Sequence, residues 1–174
     1  MSSDDILQGK RLLVVDDEPD IRETLTELLD TCLVDSASSY ETAVKFLAAN
    51  TYDAAIVDIM GVRGLELLKV AAAKKIPVLM LTAHALNADT LVRSVRSGAC
   101  VYLPKDEMTD IETYLADLLE ARQGSRHKRY TWFSRLKPSF DRKFGRGWRE
   151  KDRPFWDEFD LRASTAREEL ERVL

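Results

Sequence analysis

The stretch Lys10-Arg-Leu-Leu-Val-Val-Asp-Asp17 places two carboxylates directly after a short apolar run. Such a run, followed by a longer amphipathic segment, is typical of a buried strand that leads into a helix. In a parallel sheet built from βα units, ligands bind in the crevice at the carboxyl ends of the strands. The stretch therefore predicts an α/β fold with Asp16 and Asp17 at a binding edge of its sheet.

Three further polar side chains follow apolar runs: Asp58 after residues 53–57, Thr82 after residues 77–81 and Lys105 after residues 100–104. With a weaker strand predicted at residues 33–37, the chain contains five βα units. We expect a flavodoxin-like, doubly wound, five-stranded parallel sheet with strand order 2-1-3-4-5. Three carboxylates, a hydroxyl and an ammonium then meet in one crevice, a set that suits a hard divalent cation beside a phosphoryl group.

Helix starts are predicted at two kinds of residue. One kind has a side chain that accepts a hydrogen bond from a free backbone N–H group, and the other is proline, which has no backbone N–H group. Pro19 fits the first turn of the helix that follows the first strand. Ser38 and Glu41 have the spacing of a capping box, and Asn87 is placed to cap a later helix. Asp106 is predicted to cap the last helix of the βα series.

The net charge of −4 conceals an asymmetry along the chain. Residues 1–121 carry 11 basic and 21 acidic side chains, residues 122–149 carry 10 and 1, and residues 150–174 carry 5 and 8. All three tryptophans follow residue 121. The change of charge sign and aromatic content predicts a boundary between a domain of residues 1–121 and an extension of residues 122–174.

The extension is predicted to be mostly α-helical. Apolar residues at positions 136, 140, 144 and 148 recur at helical spacing, but Pro138, Gly145 and Gly147 are expected to interrupt that helix. A second helix is predicted to start at Pro154. Its apolar face comprises Phe155, Phe159, Ala163, Ala166, Leu170 and Val173.

Several classes of protein fit poorly. No run of 18 apolar residues is present, which argues against a membrane-spanning helix. The acidic N-terminus lacks an apolar signal core, so a cytoplasmic location is expected. No Gly-x-Gly-x-x-Gly motif follows the first strand, as a dinucleotide site would require. The stretch Asp16-Asp17-Glu18-Pro19-Asp20 also lacks the Asp-x-Asp of a phosphatase with an aspartyl nucleophile.

Four motifs together resemble the receiver domain of two-component response regulators: Val14-Val-Asp-Asp17, Ile56-Val-Asp58, Leu81-Thr-Ala83 and Gly98-Ala-x-x-Tyr-Leu-Pro-Lys105. They occur in the order and at about the separations of that family, across roughly residues 8–121. One such motif is weak evidence, whereas four in order are specific. The resemblance implies a phosphoacceptor switch that is not an enzyme, with a sensor histidine kinase or phosphotransfer protein as partner and Mg²⁺ as cofactor.

The resemblance also implies a role for each site residue. Asp58 would accept the phosphoryl group, Thr82 and Lys105 would bind its oxygens, and Tyr102 would turn inward as a switch residue when Thr82 moves. The implied Mg²⁺ ligands are Asp16, Asp17, Asp58 and the backbone carbonyl of Met60, with Asp16 acting mainly through water.

The sequence departs from the family in two loops. The usual proline after the phosphoacceptor is absent, and a glycine, Gly64, comes two residues earlier than in the family. Asp106 follows Lys105 where the family has proline, so the family's usual cis Lys-Pro bond cannot form. Met60 and His84 occupy positions at which the family tunes dephosphorylation, and the phosphoryl lifetime stays open.

The sequence leaves two questions open. A small aspartyl-phosphate enzyme acting on a diffusible substrate is the alternative to a switch, and repeated turnover of a phosphoryl label would distinguish it. The extension fits four interpretations: packing on its own receiver or forming a homodimer, docking a separate protein, lying on an anionic membrane, or binding nucleic acid through its positive charge. It contains no convincing helix-turn-helix pattern.

Overall fold

The computed structural model describes residues 2–83 and 87–173, without the side chain of Val173. His84 lies outside the described residues. In the described part, five parallel strands form one sheet with the order β2-β1-β3-β4-β5, which confirms the predicted doubly wound topology. The strands are β1 Arg11–Val15, β2 Leu33–Ala37, β3 Ala54–Asp58, β4 Val78–Thr82 and β5 Val101–Pro104.

Helices connect the strands and continue beyond them. A short α1 precedes β1, α2 to α5 connect the strands, α6 follows β5, and α7 and α8 form the extension. The bounds are α1 Ser3–Leu7, α2 Pro19–Leu28, α3 Tyr40–Ala49, α4 Gly64–Ala73, α5 Ala88–Arg96, α6 Ile111–Arg122, α7 Lys128–Phe144 and α8 Arg153–Val173. None of the helices in the described residues is long and apolar enough to cross a membrane.

The central strands form the core that positions the site. Every residue of β3 and β4 is buried, as expected of parallel strands covered on both faces. The register aligns Val15 with Val57, Asp58 with Leu81, and Thr82 of β4 with the last residue of β5. The strand ends therefore lie side by side at one edge of the sheet.

Pro19 and Asn87 begin their helices as predicted, and the Asn87 side chain accepts a hydrogen bond from the Thr90 N–H at 2.8 Å. The other two predicted starts are wrong. Ser39, one residue after Ser38, caps α3 because its hydroxyl accepts from a backbone N–H of the first turn. Residues 105–110 form a 3₁₀ helix and α6 starts only at Ile111, so Asp106 does not cap it.

The extension is helical as predicted, but the expected interruption at Pro138 is wrong. Helix α7 continues through Pro138 and ends before Gly145, whose φ of +86° favours glycine. A proline inside a helix removes the hydrogen bond to the carbonyl four residues earlier, here Ser134. Pro138 and Ser134 are both exposed, so water has access to that carbonyl and the helix continues.

Helix α8 begins at Arg153, one residue before the predicted start at Pro154. Of the predicted apolar face, Phe159 and Ala166 are buried, and Phe155, Ala163 and Leu170 are half-buried. Trp156 was not assigned to this face and is nevertheless more deeply buried than any of them. It stacks on Phe133 of α7 with ring centroids 5.0 Å apart, which joins the two helices of the extension.

Candidate functional site

The Lys105 ammonium connects the ends of β1 and β3. Its nitrogen lies 2.9 Å from Asp16 Oδ2 and 3.2 Å from Asp58 Oδ1. A third carboxylate, Glu18, approaches the same nitrogen to 3.1 Å. Residues that are far apart in sequence thus meet at the carboxyl edge of the sheet, where the strand-end argument predicts the site.

Asp58 is held in an environment that opposes its ionisation. Only 5% of the residue is exposed. Burial, and next the negative charge of Asp16, raise the pKa of Asp58 to about 6, while the Lys105 ammonium acts in the opposite direction. At neutral pH the carboxylate form is therefore present, but it depends on the cation beside it.

Lys105 remains charged in this setting. Burial alone would lower its pKa, but ion pairs with Asp16 and Glu18 reverse that effect and raise the pKa above its usual range. Glu18 was not among the predicted site residues. It follows Asp17 directly in the acidic stretch after β1, and that adjacency was the only sequence signal for it.

Three consecutive residues after β1 form a cluster of carboxylates beside Lys105. Carboxylate oxygens of Asp16, Asp17 and Glu18 lie within 4.8 Å of one another, and Asp16 Oδ1 is fixed by the Glu18 backbone N–H at 2.9 Å. A Cβ atom at Gly61 would lie 2.4 Å from Asp17 Oδ2, so the loop after β3 packs directly against this carboxylate. The donors are all oxygen atoms, the type that Mg²⁺ prefers, and the residues present fit that ion.

Thr82 and Tyr102 lie together on neighbouring strands. Both side chains are buried. Burial raises the pKa of Tyr102 to about 12, and contact with the Thr82 side chain opposes this. Within the described residues, the Thr82 hydroxyl has no partner at normal hydrogen-bond geometry. A buried hydroxyl at this position is available to a ligand at the strand ends.

The shortened loop after Asp58 stays close to the site. Met60, whose carbonyl is a predicted Mg²⁺ ligand, has a side chain that is 55% exposed at the rim. Helix α4 starts at Gly64, where a Cβ atom would lie 2.1 Å from the Asp58 backbone oxygen. Glycine at position 64 therefore allows the early start of α4 directly beside Asp58.

The family model of the response regulator receiver domain matches residues 12–116, which are more than half of the chain. The chain belongs to the response regulator receiver family. Its recognition from four sequence motifs is thereby confirmed, as is its place among proteins of two-component phosphorelay signalling. The helical extension lies beyond the matched residues.

Relatives and solved structures agree with this membership. The chain is 34% identical over 103 residues to the two-component response regulator ARR18 of Arabidopsis thaliana, across 56% of this chain and 16% of that protein. It is 36% identical over 104 residues to the DNA-binding response regulator MtrA of Mycolicibacterium smegmatis, across 55% of this chain and 44% of that one. The chain thus matches less than half the length of either relative.

Among solved structures, a response regulator receiver domain protein from Clostridium thermocellum is 25% identical with a TM-score of 0.59, covering 66% of this chain and 97% of that one. A CheY-like receiver domain protein from Methanospirillum hungatei has a TM-score of 0.62 at 23% identity, covering 67% and 98%. The latter likeness concerns the fold alone.

Proposed function

We propose that this chain is a response regulator in which Asp58 accepts a phosphoryl group in a Mg²⁺-dependent reaction and thereby switches the state of the molecule. The observation that carries the proposal is the Lys105 ammonium, which pairs with Asp58 and Asp16 at the joined ends of three strands. The proposed receiver comprises residues 1–121, and residues 122–174 form an extension to it.

In the proposed transfer, the protein supplies the nucleophile and two groups that bind the phosphoryl oxygens. A carboxylate oxygen of Asp58 forms a bond to phosphorus, while the bond from phosphorus to the donor's leaving group breaks and that group keeps the electron pair. Lys105 pairs with one of the new phosphoryl oxygens, and Thr82 donates its O–H to another. Pairing with the ammonium offsets the repulsion between these oxygens and Asp16.

Asp16, Asp17 and Asp58 would hold Mg²⁺ together with the Met60 carbonyl, and Glu18 is a neighbour of that group. When bound, the ion supplies positive charge that neutralises the transferred group. The residues themselves orient the nucleophile, keep Lys105 charged and place a hydroxyl beside the phosphoryl oxygens.

The phosphodonor in this proposal is a sensor histidine kinase or a phosphotransfer protein. The cytoplasmic location expected from the sequence is part of the same proposal, and a homodimer is the alternative assembly. For the extension, we favour packing on its own receiver over binding DNA or a membrane. Its large aromatic residues are mostly buried, Trp132, Phe133, Phe140 and Trp156 among them, which leaves little apolar surface for a bilayer.

The test is transfer from a small phosphodonor. We expect labelled acetyl phosphate with Mg²⁺ to give one stable phosphoryl group per chain, and Asp58→Asn to give none. Asp53→Asn, at the residue that directly precedes β3, is the control that should label normally. Stoichiometric labelling of Asp58→Asn would refute the assignment. Repeated release of phosphate with continued consumption of the donor would favour the aspartyl-phosphate enzyme.

A further inference from the structure

One edge of the sheet is covered by the extension and the other is not. At the β2 edge, Leu33 is 64% exposed, whereas Val101, Tyr102 and Leu103 of the β5 edge are at most 2% exposed. An uncovered edge strand would expose its side chains and backbone groups. Helix α7 is part of the cover at β5, because it contacts both β5 and α6, and α5 and residues 105–110 contact β5 as well.

Phe140 of α7 meets the side chain that was predicted to act as the switch. The rings of Phe140 and Tyr102 lie 6.1 Å apart between centroids, and both residues are fully buried. Tyr102 also contacts the side chain of Thr82. Tyr102 therefore connects a phosphate-binding hydroxyl to the extension, and an outward turn of its ring requires Phe140 to move.

A second connection runs through Lys105. Its neighbour Asp106 accepts two hydrogen bonds from the Lys143 ammonium of α7, at 2.9 and 2.8 Å. The extension also reaches α5, the helix that follows Thr82, because Lys151 pairs with Asp89 in its first turn at 3.0 Å. The segments that follow both phosphate-binding residues are thus bound to the extension.

We propose that residues 128–173 dock on the β5 edge of their own receiver, and that this docking and the phosphorylation of Asp58 strengthen each other. This inference rests on the proposed function of Asp58. Docking buries Tyr102 against Thr82 and holds the segment that starts with Lys105, so it keeps both phosphate-binding groups close to the positions they need. An undocked extension leaves both groups more freedom, which bound phosphate must then remove.

Coupling of this kind is reciprocal. If the docked extension raises the affinity of the site for a phosphoryl group by some factor, the phosphoryl group raises the docking constant by the same factor. Couplings between sites are typically about 5- to 150-fold. The same contact can therefore be tested from either end.

The test from the site measures binding of beryllofluoride, a phosphoryl mimic, with Mg²⁺ by fluorine NMR on the full chain. We expect Phe140→Ala to weaken binding about tenfold. Lys143→Gln loses only a partly exposed ion pair and should weaken binding about two- to fivefold. Lys137→Gln is the matched control, because Lys137 pairs with Asp141 inside α7 and with no acidic side chain among the described residues of the receiver. It should bind as the wild type does.

The outcomes separate this inference from the function on which it rests. Wild-type binding that is absent, or that persists in Asp58→Asn, overturns the proposed site and the inference with it. Wild-type binding at Asp58 with unchanged or tighter binding by both Phe140→Ala and Lys143→Gln overturns the inference alone. The surface variant Lys143→Gln keeps the test valid if Phe140→Ala does not fold.

The test from the extension follows hydrogen exchange of the amides of α7. Beryllofluoride with Mg²⁺ should slow their exchange in the wild-type chain and leave it unchanged in Asp58→Asn. Unchanged or faster exchange in a wild-type chain that binds beryllofluoride would contradict the proposed direction of coupling.

Discussion

Asp58 is a nucleophile in a place that disfavours its charge. Its burial beside Asp16 raises its pKa to about 6 from an ordinary value of 3.8. A group whose pKa is raised on folding costs stability once it is ionised in both states. This loss of stability is absent below pH 3.8, grows as the pH rises from 3.8 to about 6 and is complete above that pH.

We therefore expect Asp58→Asn to be more stable than the wild type in metal-free buffer at pH 7.5. The rise of the pKa from 3.8 to about 6 sets an upper limit of about 3 kcal/mol on the gain in the free energy of unfolding. The gain should shrink as the pH is lowered to about 4. Urea unfolding at a series of pH values in EDTA measures it, with the exposed Asp30→Asn as control. A gain that is independent of pH would show that the charge of Asp58 is not its cause.

At the scale of elements, the strand ends could be predicted and the loops could not. Asp16, Asp58, Thr82 and Lys105 were found from sequence because each follows an apolar run, and the sheet brings such positions together. Glu18 was missed because it lies beyond its strand, and only the folded chain shows that Lys105 reaches it. The prediction that Asp106 caps the last helix of the βα series was wrong because residues 105–110 fold as a 3₁₀ helix.

The start of α4 provides a test of the shortened loop. Gly64→Ala would place a Cβ atom 2.1 Å from the Asp58 backbone oxygen and 2.7 Å from Ile59 Cα, so the backbone at the phosphoacceptor must shift. Such overpacking costs about 1–3 kcal/mol, and we expect slower labelling of Asp58 by acetyl phosphate as well as lower stability.

Gly9→Ala is the control for this prediction, since a Cβ atom there meets nothing within 4 Å although φ is +73°. It should cost backbone strain but leave the labelling rate unchanged. Equal labelling by wild-type and Gly64→Ala chains would mean that the loop adjusts without disturbing Asp58.

At the scale of the whole molecule, the charge asymmetry of the chain is resolved internally. Residues 122–149 carry 10 basic side chains, and several of them pair with acids elsewhere in the fold. These pairs are Lys128 and Arg135 with Asp117, Lys143 with Asp106, Arg149 with Asp160 and Arg126 with Glu169. The sequence revealed the basic segment but not its acidic counterparts, because those lie in distant elements.

Asp117 of α6 is the most buried of these acids. It accepts hydrogen bonds from Lys128 at 3.3 Å and Thr131 at 3.0 Å, and it also pairs with Arg135. Asp117→Asn removes the charge that both cations face, so we expect a loss of about 1–3 kcal/mol and faster hydrogen exchange across α7. Asp157→Asn, at an exposed position of α8, should change neither quantity. Unchanged exchange in Asp117→Asn would show that this cluster does not hold the extension.

The central claim is that Asp58 receives the phosphoryl group, and one measurement addresses it at atomic level. The wild-type chain is treated with acetyl phosphate and Mg²⁺, reduced with borohydride, which converts an aspartyl phosphate to homoserine, and mapped by peptide mass spectrometry. We predict homoserine at position 58 and at no other aspartate. Homoserine at Asp16, Asp17 or Asp53, or its absence from a chain that carries a phosphoryl group, would contradict the account.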